Sequence, residues 1–107
     1  MEDHYPSEKF SDAVRTLAMG KRPLQERMAD AFSYNLHHLI GHDALPDDVK
    51  ERLAKYAARW SAVDNAGEQG TIKVWARDLS DDEATDIASW IVETAFELNR
   101  QFWMDEE

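Results

Sequence analysis

Three histidines, His37, His38 and His42, lie close together and next to Asp43. His38 and His42 are four positions apart, the spacing at which one helical face offers two imidazoles to a metal. Gly41 stands between them as a helix stop, and the glutamate of the H-E-x-x-H metalloprotease pattern is missing. Imidazoles at a helix C-terminus also suit the negative end of the helix dipole. Asp78, Asp81, Asp82 and Glu83 form a second group, of the type that attracts Mg²⁺ or Ca²⁺. Ser80-Asp81-Asp82-Glu83 is, however, a capping box opening a helix, which already accounts for three of these acids. Asp64-Asn65-Ala66-Gly67-Glu68 lacks the alternating ligands and the distant glutamate of a calcium loop.

Nucleophile chemistry has as little support. Cysteine is absent, which excludes disulfides, thiol nucleophiles, iron–sulfur clusters and cysteine zinc sites. Gly20-Lys21 is not a phosphate loop, because Arg15 holds the position of the first glycine and Arg22 follows the lysine. No G-x-S-x-G elbow occurs. The expectation is a chain that is not an enzyme, with no catalytic residues, no cofactor and no metal.

Charge narrows the partners. The 107 residues carry 12 Lys and Arg against 22 Asp and Glu, a net −10 with histidine neutral. Almost all of that excess lies in residues 78–107, where ten acids face the single base Arg100. Lys50, Arg52, Lys55 and Arg59 give one helix a basic side, and Lys21, Arg22 and Arg27 give a turn another. Against the overall charge neither makes a phosphate-gripping surface, so no nucleic-acid partner is expected. No run approaches the length of a membrane span, and the first ten residues lack a basic region followed by an apolar stretch. No membrane partner and a cytoplasmic location are the corresponding expectations.

The elements that must position these groups are helices. Phe10, Val14, Leu17 and Ala18 recur at helical spacing before Gly20, predicting a helix over about 7–19. Pro23 opens a second, to about 40, with Leu24, Met28, Ala31, Phe32, Leu36, Leu39 and Ile40 on one stripe. Pro46-Asp47-Asp48 opens a third, to about 62, burying Val49, Leu53, Tyr56, Ala57 and Trp60. On its solvent side Asp48–Arg52 and Glu51–Lys55 are favourable i,i+4 pairs. The capping box opens the last helix, over about 81–103, with Ala84, Ile87, Ala88, Ile91, Ala95, Leu98 and Phe102 facing the core. Asp82, Asp86, Glu93 and Glu97 fall on another face of that helix as an acidic stripe. The predicted fold is all-α, a small four-helix bundle-like single domain over 1–107.

One segment departs from this pattern. Thr71-Ile72-Lys73-Val74-Trp75-Ala76 alternates apolar and polar residues and is rich in β-branched side chains, predicting a short extended segment near 71–76. An unpartnered strand leaves its backbone groups unpaired. It can remain a loop, pair with 63–69 as a hairpin, or pair with a second copy across a two-fold axis. The third option makes Ile72, Val74 and Trp75 partner-binding residues of a homodimer. Four tryptophans in a chain this short (Trp60, Trp75, Trp90 and Trp103) fit either core filling or partner contact.

The landmarks Leu17-Ala18, Pro23-Leu24-Gln25-Glu26-Arg27 with Ala31, Leu45-Pro46 before Leu53, and Leu79-Ser80-Asp81-Asp82-Glu83-Ala84 run through most of the chain. In that order they resemble a group of small uncharacterised bacterial helical proteins. The resemblance implies a helical fold and carries over no activity and no site residue. The function expected from the sequence is a non-catalytic interaction or assembly module that self-associates. The alternative is an acidic partner-binding protein, an inhibitor or charge mimic, that turns Asp82, Asp86, Glu93 and Glu97 toward a basic protein. A small metal-binding protein or enzyme is the third reading.

Overall fold

Proline, glycine and capping residues cut the chain into its helices. The computed structural model describes residues 5–64, 67 and 70–105, with residues 102–105 given by their backbone alone. The first helix, α1, runs Tyr5–Met19 and buries Pro6, Phe10, Ala13 and Leu17, spaced to fall on one stripe. Its last turn is closed by Arg27, which donates from Nη1 to the Leu17 carbonyl and from Nε to the Arg22 carbonyl. Gly20 makes room for this, because a Cβ there would lie 2.6 Å from the Arg27 stem. Helix α2, Leu24–Tyr34, follows Pro23, whose carbonyl accepts the Glu26 and Arg27 amides at 3.1 Å.

The second helix expected over 23–40 stops early. Asn35 leaves helical geometry, and a 3₁₀ turn over Leu36–Leu39 takes its place. The Asn35 side chain is buried and donates to Thr16 Oγ1 at 3.3 Å, tying the end of α2 to α1. In the tighter turn residues three apart eclipse, so Leu36 and Leu39 both point into the core and both are fully buried. Helix α3, Asp47–Ser61, buries Val49, Leu53, Tyr56 and Trp60.

The extended segment expected near 71–76 is not a strand. Thr71–Arg77 is a helix, α4, entered through Gly70 at φ 87°, where a side chain would be strained. The Gly70 carbonyl accepts the Val74 amide at 3.3 Å. Seen to Leu79, the apolar residues that belong to the core or pack against it are Ile72, Trp75, Ala76 and Leu79. That is an i, i+3, i+4, i+7 set, and a helix buries all four where a strand would split them between two faces. With no strand at 71–76, the strand ribbon of a homodimer loses its basis. The hairpin with 63–69 loses it too, and Asn65, Ala66, Glu68 and Gln69 lie outside the described residues.

Helix α5, Asp81–Asp105, opens with the expected capping box. The Glu83 amide donates to Ser80 Oγ at 3.1 Å, and the Ser80 amide donates back to Glu83 Oε1 at 3.3 Å. Gln25 bridges from α2 to this end, donating to Asp81 Oδ1 at 2.8 Å and to the Leu79 carbonyl at 3.2 Å. The most extensive packings are α1 on α5, α2 on α4 and α1 on α2. Every helix contributes to one apolar core. Within it Phe32 meets Tyr56, Trp60 and Trp75 edge to face at 5.3–5.7 Å between ring centroids. The domain is all-α, with the short α4 standing where an extended segment was expected. No helix among the described residues is long and apolar enough to cross a membrane.

Candidate docking surface on the fifth helix

Helix α5 is long enough to present three faces. Ala84, Ile87, Ile91, Ala95 and Leu98 point into the core. The face toward α3 carries acids and Trp90, the face toward α1 carries Val92, and Phe96 lies exposed one turn beyond Val92.

On the α3 side, Arg52, Lys55, Tyr56 and Arg59 line a groove of about 480 Å³ opposite Glu83 and Asp86. Arg52 does not take the expected Asp48 partner. Its Nη2 reaches Asp86 at 3.3 Å, and its Nε donates to Tyr56 Oη at 2.7 Å. Its guanidinium stacks 4.9 Å from the centre of the Trp90 ring. Trp90 in turn meets Phe10 and Tyr56 at 5.6 and 5.7 Å. A cation held over an aromatic face and bonded on two sides is a clamp between helices rather than a ready ligand donor. Further along, Glu93 and Glu97 face Pro46 and Val49 across a second cleft. Arg100 donates to Glu97 at 2.8 Å, and this bond, with the arginine charge, holds the Glu97 carboxyl below its ordinary range. The same contact raises the Arg100 guanidinium.

On the α1 side the lining changes character. Val14, Leu17 and Leu24 meet Ala88 and Val92 in a groove of about 470 Å³ that is mostly apolar. Val92 is 48% exposed, and Phe96, one turn on, is 71% exposed. The sequence reading passed over this pair. Val92 and Phe96 each follow a core residue, Ile91 and Ala95, so each sits about 100° around the helix from the buried stripe. The signal available was two large apolar residues i,i+4 apart on a face of the helix that the core does not need.

The structure separates the other expected groups. Asp82, Asp86 and Glu93 are exposed and Glu97 is half-exposed, all on the outer side of α5. Asp86 and Glu97 are already engaged by Arg52 and Arg100. Trp75 is 8% exposed inside the aromatic cluster, and Ile72 and Val74 are half-buried, so the three expected partner contacts face largely inward. His37 and His38 sit edge to face at 5.4 Å on the exposed side of the 3₁₀ turn. His42 turns away, stacking on Tyr5 at 5.7 Å, and its Nδ1 accepts the Ala44 amide at 3.1 Å. Among the described residues no group of three or more histidine or acidic side chains is arranged to hold a metal. The 64–68 stretch, which lacks the ligands of a calcium loop, falls partly outside the described residues, as does the side chain of Trp103.

No protein family, no curated protein and no solved structure matches this chain.

Proposed function

We propose that this chain is a non-catalytic protein-binding module whose docking surface is the α1-side face of α5. The observation that carries the reading is the exposure of Phe96 and Val92 beside the apolar groove lined by Val14, Leu17, Leu24 and Ala88. Burying a phenylalanine or valine stabilises by about 1.5–3 kcal/mol each, so a helix that leaves both in water forgoes that gain until something covers them. Contiguous apolar surface of this kind marks interaction sites.

The reactive side chains support binding over chemistry through the positions they take. Ser80 and Glu83 cap α5, Arg52 clamps α3 to α5, and His42 packs on Tyr5. The homodimer expected from the sequence would use the same face, with no strand at 71–76 to pair.

Site-specific photocrosslinking in the source cells tests the reading. A benzophenone side chain replaces Phe96 in one variant and Tyr34, 69% exposed at the end of α2, in another. The expected result is one discrete adduct from position 96 that disappears with Val92→Asp and is absent from position 34. Equal labelling from both positions overturns the proposal.

A further inference from the structure

We infer that the occupant of the α5 face is a basic amphipathic helix from another protein. The inference rests on the docking reading above and adds the chemistry of the partner. Its first support is shape. Thr85, Ala88 and Val92 line the groove opposite Val14 and Leu17 of α1 and Leu24 of α2, and Phe96, exposed one turn beyond Val92, extends the α5 side to about 16 Å, three helical turns. A groove between two helices takes a third helix that supplies apolar anchors at i, i+3 or i+4, and i+7.

The second support is charge. Glu93 lines the groove itself and Asp82 is exposed on the same outer side of α5, while Glu97 lies one turn further on, toward α3. The only base on α5, Arg100, is engaged by Glu97. Helix α1 carries Glu8 and Asp12 against Lys9 and Arg15, so it contributes no net charge to offset the acids. At the groove's end Arg27 is held by the Leu17 and Arg22 carbonyls, and Arg22 is paired with Asp30. A helix seated here meets a negative border along α5, which favours lysine or arginine beside its apolar anchors. A second copy would bring a further ten negative charges and the same acidic border.

The test uses the whole chain and two synthetic helical probes with the same leucine stripe, one flanked by lysines and one by glutamates. Affinity is read by fluorescence anisotropy at about 0.01 M and about 0.15 M salt, over which the Debye length falls from about 30 Å to about 8 Å. The lysine probe is expected to bind at least about tenfold more tightly than the glutamate probe, and to weaken as salt rises. Phe96→Ser should cost the lysine probe about tenfold or more, which separates groove binding from attraction to an acidic protein in general. Val92→Thr serves as a second anchor variant, and the triple variant Asp82→Asn, Glu93→Gln, Glu97→Gln should flatten the salt dependence. Equal affinity for both probes, or lysine-probe binding unchanged by both anchor variants, overturns the inference. A position-96 crosslink at twice the chain mass overturns it while leaving the docking reading intact. Loss of both the crosslink and the probe binding removes the two together.

Discussion

Trp75 and Phe96 are both large aromatic side chains, and the fold treats them in opposite ways. Trp75 touches Phe32, Tyr56 and Trp60 inside the core, at 5.3–5.7 Å between ring centroids. Trp75→Ala should therefore cost about 3–5 kcal/mol in urea unfolding. Phe96→Ser removes a ring that is mostly in water, and the same measurement should move by no more than about 0.5 kcal/mol. Equal losses would place Phe96 in the core. Glu97 supplies a pH-dependent test. Its bond to Arg100 and the nearby positive charge hold its carboxyl below the ordinary value. A depressed folded-state value means the contribution is fully present above the unfolded value and is lost as pH falls through the folded one. A carbon-detected carboxyl titration should find the Glu97 midpoint below that of an unstructured glutamate, and Arg100→Gln should raise it. A midpoint unaffected by that substitution would remove Arg100 as the cause.

At the scale of elements, starts were more legible than identities. Pro23, Pro46 and the Ser80 box opened helices where expected, because each acts through backbone geometry within one turn. The end of α2 was not legible, because its cause is Asn35 reaching Thr16 on another helix. Nor was α4, whose β-branched residues favour a strand locally while its i, i+3, i+4, i+7 set has a core to bury against. Val74→Pro distinguishes the two readings. In α4 the Val74 amide bonds to the Gly70 carbonyl, so proline should cost about 3 kcal/mol within the single chain at any concentration. A loss of stability that appears only as an assembly dissociates would restore the strand ribbon.

For the whole molecule, what matters is how charge and apolar surface are distributed. Almost all of the net −10 lies in residues 78–107, the stretch of chain that contains the helix exposing Val92 and Phe96. Crosslinking at position 96 and probe binding belong to this scale, because neither apolar contact nor acidic attraction alone predicts both results. Contact alone predicts binding that ignores salt and probe charge. Attraction alone predicts binding that survives Phe96→Ser.

The sequence by itself determined the helical class, the positions of most helix starts, the capping box and the acidic stripe. Each depends on periodicity or on groups within a few residues of one another. Tertiary structure decided the rest. It made 71–77 a helix, turned Trp75 inward, drew Arg52 from Asp48 to Asp86, sent His42 to Tyr5 and left Val92 and Phe96 outside. The physical reason is common to all five. Each outcome depends on which face the neighbouring helices cover, and that is set by packing between residues far apart in the chain.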